Sequence, residues 1–231
     1  MTRKVAFLRE VEIEAATLDL LADYGSKYSP VLCPPIPVEE ILEAHLELSF
    51  ELDDLPALLD VPDVLGATWV RQRKVKIDQS LDPTVDPSRE GRYRFTVSHE
   101  VGHWELHRHL YLVPEQGSLF AEKAEPIVCR SGARDQMEWQ ANSFAGYLLM
   151  PKRMVINTWE AVRGTIEPYI AADEITDLSA RWCLGRDDCP VVQLSREMAR
   201  VFKVSGQAMQ IRLIGLGLVR TKAPEPGLFS N

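Results

Sequence analysis

The stretch Phe95-Thr-Val-Ser-His-Glu-Val-Gly-His-Trp-Glu-Leu-His107 narrows the choice of fold more than any other part of the chain. Two histidines spaced i, i+4 face one side of a helix one turn apart, a relation that a strand or loop does not provide. Glu100 directly follows the first of them. On a helix, His-Glu-x-x-His lets two imidazoles hold one Zn²⁺ at about 2.0–2.1 Å, while the glutamate reaches a water on the ion and takes its proton. His99 and His103 are therefore candidate metal ligands, and Glu100 is the candidate general base. Four of the five histidines fall between His99 and His109, although an exposed polar helix carries such a cluster equally well.

A catalytic zinc site takes three protein ligands and leaves one position open. His109 stands ten residues after His99, the spacing of the pattern His-Glu-x-x-His-x-x-Gly-x-x-His. That pattern turns the chain at its glycine, and here the position is Leu106, so a continuous helix carries His109 away from the ion. Glu138 is the better candidate: it lies on a second strong helix, with Asn142 one turn later on the same face. The second ring nitrogens of the histidines also need acceptors, which the sequence does not identify.

The rest of the chain reads as mixed helix and strand. Apolar residues at Ile13, Ala16, Leu20 and Leu21 mark a helix over Glu12–Tyr24. After the prolines between Pro30 and Pro37, Glu39 and Glu40 open a helix over Val38–Leu46. Leu46–Leu52 alternates as a half-buried strand does, and Gly66–Val70 with Lys74–Asp78 reads as a hairpin around Arg71–Arg73. Asp86-Pro87 is an N-cap followed by proline, which starts the motif helix. Pro114–Ala133 reads as loop, Asp135–Met150 as a helix stopped by Pro151, and Lys152–Val162 as another helix. The expected fold is α+β, with a short three-stranded sheet and a helical core.

Composition bounds the alternatives. A chain of 231 residues, 45% hydrophobic and 26% charged, suits one or two globular domains. No apolar run approaches the ~18 residues of a membrane span, and the N-terminus lacks the apolar core of a secretory signal. Cys33, Cys129, Cys183 and Cys189 form no Cys-x-x-Cys pair and read as reduced, inert thiols of a cytoplasmic protein. A net charge of −8 argues against a chain that binds nucleic acid as a whole.

Two segments resemble the ImmA/IrrE family of zinc metallo-endopeptidases. Arg94–His107 matches the family pattern Arg-Phe-Thr-x-Ala/Ser-His-Glu-x-Gly-His, and Glu138-Trp-Gln-Ala-Asn-Ser-Phe-Ala-Gly-Tyr-Leu-Leu-Met-Pro151 matches Glu-x-x-Ala-Asn-x-Phe-Ala-x-x-Leu-Leu-Met-Pro. Gln140 departs from it, since many relatives carry a second acid there, and its presence removes a rival ligand. The resemblance implies a zincin-like fold, one Zn²⁺ on His99, His103 and Glu138, and Glu100 as the catalytic acid/base. It also implies a protein substrate, a helix-turn-helix transcriptional repressor, whose cleavage derepresses stress-response or mobile-element genes. The alternatives are a non-catalytic anti-repressor and a DNA-binding regulator with a structural zinc. The second needs a fourth protein ligand to close the site.

The domains expected are 1–163, the zincin-like peptidase, and 164–231, a helical segment. Within the latter, Leu194–Leu213 has a helix-turn-helix cadence around Val204-Ser205-Gly206. Residues 192–222 hold six basic residues and one acid, in a chain whose net charge is −8. The acidic remainder disfavours direct DNA binding, so this segment is expected to recruit the protein substrate instead. Elsewhere, His107 suits a helix-end cap or a substrate contact, Arg94 a carboxylate brace or a solvated position, and Trp104, Trp139 and Tyr147 the core.

Overall fold

The computed structural model describes residues 5–112, 126–130, 135–182 and 189–222. The chain packs as two units, Met1–Pro151 and Lys152–Asn231. The division falls at Pro151, one helix earlier than the sequence suggests, so the helix after Pro151 groups with the second unit.

The first unit opens with α1 (Glu10–Lys27), which buries Ile13, Thr17, Leu20 and Tyr24. A short helix, α2 (Val38–Glu40), runs on into a wider π turn over Ile41–His45, with Ile41 and Leu42 fully buried. Then come β1 (Ser49–Asp53), α3 (Leu55–Leu59), β2 (Val64–Trp69) and β3 (Lys74–Asp78). The motif helix is α4 (Glu90–His107), followed by the single turn α5 (His109–Leu112), β4 (Ile127–Arg130) and α6 (Gln136–Leu149).

Among the described residues the sheet has four strands in the order β1-β3-β2-β4, one more than expected. The fourth, β4, lies within the stretch read as loop, because four residues between polar neighbours give too little alternation to register. The β2–β3 pair is the expected antiparallel hairpin, with Ala67 opposite Lys76. No Asn-Gly supplies its turn, and Arg73 itself takes the left-handed conformation at φ 51°. β1 runs parallel to β3, and Lys74 and Lys76 each reach an acid on β1, Glu51 and Asp53, at 2.7 Å. These surface pairs contribute little stability but agree with a single register. β4 pairs antiparallel with β2 and brings Cys129 opposite Gly66, next to an irregularity at Val64/Gly66.

α4 lies against the sheet on one side and packs on α6 on the other, and α1 covers α6. Val97, Val101, Ala141, Phe144 and Leu148 are fully buried. Truncation of a fully enclosed Phe or Leu costs about 2–5 kcal/mol, so these positions hold the site helices in place.

The second unit contains α7 (Lys152–Arg163), β5 (Tyr169–Ile170), α8 (Ala172–Trp182), α9 (Gln193–Phe202), α10 (Gly206–Gly215) and β6 (Val219–Arg220), with β5 and β6 parallel. Lys203, left-handed at φ 53°, ends α9, and Ser205 caps α10 by accepting from the Ala208 amide at 3.1 Å. α9 and α10 pack together through buried Met198, Phe202, Met209 and Leu213. Arg212, counted with the basic residues from sequence, is buried here. No described helix is long and apolar enough to cross a membrane.

Candidate metal centre

Asp86 starts the turn that leads into α4, accepting from the Ser88 amide at 3.0 Å, with Pro87 at its first position. α4 is enclosed over most of its length, and its buried face includes Thr96, Ser98, His99, Glu100, His103 and His107. So many polar groups are tolerated inside a core only where they find partners or a bound ion.

α6 carries the third component. Asp135 caps it by accepting from the Glu138 amide at 2.9 Å, which fixes Glu138 in the first turn. The two helices approach closely at Gly102. A Cβ there would sit 3.1 Å from Phe144 Cβ and 3.3 Å from Ala141 Cα. The small residue between His99 and His103 therefore brings Glu138 within reach of both.

His99 Nε2 lies 2.9 Å from His103 Nε2, and the Glu138 carboxylate stands 3.3 Å from the first and 3.1 Å from the second. His99 turns its other nitrogen, Nδ1, to Asn142 Oδ1 at 3.0 Å, an oxygen that only accepts. With its Nδ1 proton donated there, a neutral His99 presents a lone pair at Nε2. Burial pushes His103 down to about 4, so it is neutral at pH 7. The centre gathers acceptor atoms at near-contact distance, and it is stable only with a cation or a proton among them. Two imidazoles and a carboxylate are the donors that a zinc-type divalent ion takes, and the spacing fits ligand bonds of about 2.0–2.2 Å.

Without the ion, His99 holds the proton and Glu138 the negative charge. Burial works against a charged His99, but contacts with Cys129 and Glu138 outweigh it and hold the imidazole well above its ordinary value. Burial likewise opposes the Glu138 charge, and the bonds from His103 and His99 pull its carboxyl down to about 2. A divalent ion must displace that proton. Its affinity is thus expected to rise about tenfold per pH unit, past the usual histidine range near 6.5, and to level off once His99 deprotonates. Calorimetric titration with Zn²⁺ at several pH values checks this, and a pH-independent affinity would contradict it.

Glu100 is fully buried beside the cluster. Thr68 Oγ1 donates to its Oε2 at 2.6 Å, whereas Oε1 has no hydrogen-bond partner among the described residues. Burial pushes its carboxyl up to about 7, against the pull of His99 and Thr68. The carboxylate fits only because residue 66 is glycine: a Cβ there would overlap Oε1 and come within 3.0 Å of Cδ and of Thr96 Cγ2. Gly66→Ala is therefore expected to displace the Glu100 carboxylate. Misplacement of a catalytic group by ~1 Å costs on the order of 10²-fold in rate. The check is hydrolysis measured beside metal content and melting temperature, with the metal expected to remain.

The structure brings His99, Glu100, His103 and Glu138 together, and it leaves His109 exposed. Ligand atoms of His99, Glu100 and Cys129 also lie within 4.8 Å of one another, a juxtaposition that spacing in the sequence does not reveal. Burial raises the Cys129 thiol, with His99 pulling it the other way. Arg94 is half-buried, within the field of the Glu90 and Glu39 carboxylates. It donates to the Ile36 carbonyl at 2.6 Å, tying α4 to the proline-rich segment. Trp104 is buried under Arg73 and Arg108, while Tyr147 is half-buried and Trp139 is exposed and stacked on Phe7. His107 faces inward and bonds His103 and Gln140, so it is neither cap nor surface residue.

An α+β unit with His-Glu-x-x-His on its central helix and a glutamate from the next long helix has the build of a peptidase that works with a metal. Residues 86–213 match the family of the IrrE N-terminal-like domain, peptidases of the ImmA/IrrE type. The match spans more than half of the chain, and the chain belongs to that family. No curated protein matches it.

Proposed function

We propose that the chain is a cytoplasmic zinc-dependent endopeptidase that cuts a helix-turn-helix transcriptional repressor and so derepresses stress-response or mobile-element genes. The observation that carries the catalytic part is the convergence of three acceptor groups beside a buried carboxylate, one oxygen of which has no partner among the described residues. A Zn²⁺ bound there supplies Lewis acidity to a carbonyl and to water. Each side chain then has a defined task. His99, His103 and Glu138 hold the ion. Thr68 fixes one oxygen of Glu100, which leaves Oε1 to take the proton of the attacking water. Its value near 7 suits both acceptance of that proton and its return to the leaving amine.

The substrate part rests on the family, together with the charge distribution. The test is incubation of the full chain and Zn²⁺ with the helix-turn-helix repressor encoded beside it. Mass spectrometry of the products should show one or a few defined fragments, and a chelator should abolish them. Intact repressor, in the presence of a zinc-loaded chain, would sink the reading.

Exposed Arg196, Arg200 and Lys203 suit recruitment of that substrate. Reversal of all three to Glu is expected to slow repressor cleavage at least tenfold, with little change for a short peptide spanning the same bond. Equal losses on both substrates would remove recruitment from this surface. Sub-micromolar binding of operator DNA at physiological salt would instead favour the regulator reading.

A further inference from the structure

His103 needs an acceptor for its second nitrogen, and the structure supplies one through a buried chain of hydrogen bonds. His103 Nδ1 lies 3.1 Å from His107 Nδ1. His107 Nε2 lies 2.9 Å from Gln140 Oε1. Gln140 Nε2 donates to the backbone carbonyl of Ala6 at 2.7 Å. His103, His107 and Gln140 are all at most 1% exposed, so water does not substitute for any link.

The direction of the chain follows from its far end. A carbonyl only accepts, so the Gln140 amide must turn its NH₂ toward Ala6 and its oxygen toward His107. That oxygen also only accepts, so His107 carries a proton on Nε2. A neutral imidazole has one proton, which leaves a lone pair on His107 Nδ1. His103 must then donate from Nδ1, and its own lone pair is on Nε2, the atom beside His99 and Glu138. The reverse direction would put a proton on His103 Nε2, aimed at the ion, and would set the Gln140 oxygen against the Ala6 oxygen.

We propose that His107, oriented by Gln140 and the Ala6 carbonyl, is a positioning residue that fixes His103 in the tautomer presenting Nε2 to the metal. This rests on the reading of His99, His103 and Glu138 as the metal centre. It assigns a task to Gln140, the position where an acid would be unable to bond Ala6 and His107 in this sense without itself holding a proton. It also ties the N-terminal segment before α1 to the metal centre through side chains of two helices.

The test uses the full chain. In the zinc-loaded wild type, long-range ¹H–¹⁵N correlation should show His103 protonated at Nδ1 only and His107 protonated at Nε2 only. Loss of a hydrogen-bond partner to a metal-bound histidine lowers affinity by ~10–100-fold. His107→Leu is expected to weaken Zn²⁺ by that factor, and Gln140→Leu by less. His107→Asn places an oxygen near the former Nδ1 and should recover most of the loss. A His107 proton on Nδ1 in the wild type, or wild-type zinc affinity in a folded His107→Leu, overturns the proposal. If His107→Leu does not fold, the tautomers of the wild type still decide. A wild type that binds no zinc refutes the underlying metal reading instead, which separates the two failures.

Discussion

Glu100→Gln is expected to bind Zn²⁺ as the wild type does and to lose hydrolysis by roughly 10²–10⁴-fold, the range that a positioned general base supplies. Glutamine keeps the shape of the side chain and leaves His99, His103 and Glu138 untouched. The amide can still accept from Thr68, whose hydroxyl lies 2.6 Å from Oε2. What it lacks is a site for the water proton at the oxygen that has no partner among the described residues. Metal analysis and single-turnover cleavage, measured on one preparation, separate the two effects. The variant also isolates chemistry from binding: if a non-catalytic anti-repressor were the true function, Glu100→Gln would still relieve repression. Retained cleavage would take Glu100 out of the reaction.

Glu138→Ala should instead abolish tight metal binding. Removal of a direct ligand must cost more than the ~10–100-fold typical of an outer partner, and it leaves two imidazoles with no anionic ligand beside them. The loss should show in heat stability as well. A ligand at 100 times its dissociation constant adds about 2.7 kcal/mol to a folded protein. Zn²⁺ should therefore raise the melting temperature of the wild type and of Glu100→Gln, and leave that of Glu138→Ala unchanged. A zinc-dependent rise in Glu138→Ala would reassign the third ligand.

Much of this site is legible in the sequence because its chemistry follows a fixed spacing. His99 and His103 stand one helical turn apart, and Asp135 marks the start of the helix that delivers Glu138. Other features depend on contacts between distant segments. His107 meets Gln140 33 positions away, and Gln140 meets Ala6 134 positions away, so no local pattern announces either bond. Cys129 reaches the centre only because β4 pairs with β2, and β4 is too short to be read from alternation. α4 presents a different difficulty. It is enclosed by the sheet and α6, so it has no clean apolar stripe, and only the motif and the Asp86-Pro87 start betray it. In the second unit, α8 has no buried residue, so packing does not explain why that segment is helical.

Gly102 has a consequence for which ions the centre accepts. The close approach of α4 and α6 at this residue sets the bite of the donors, whose mutual distances run from 2.9 to 3.3 Å. An ion such as Ca²⁺ takes six to eight oxygen ligands at about 2.3–2.6 Å, and two imidazoles with one carboxylate would serve it poorly. To make room for a larger shell of ligands, the helices would have to part against a packed seam of Phe144 and Ala141. The interior of a folded protein resists such expansion. The missing side chain at residue 102 thus acts as a calliper: it lets two rigid rods close to a fixed gap, across which two imidazoles and a carboxylate meet.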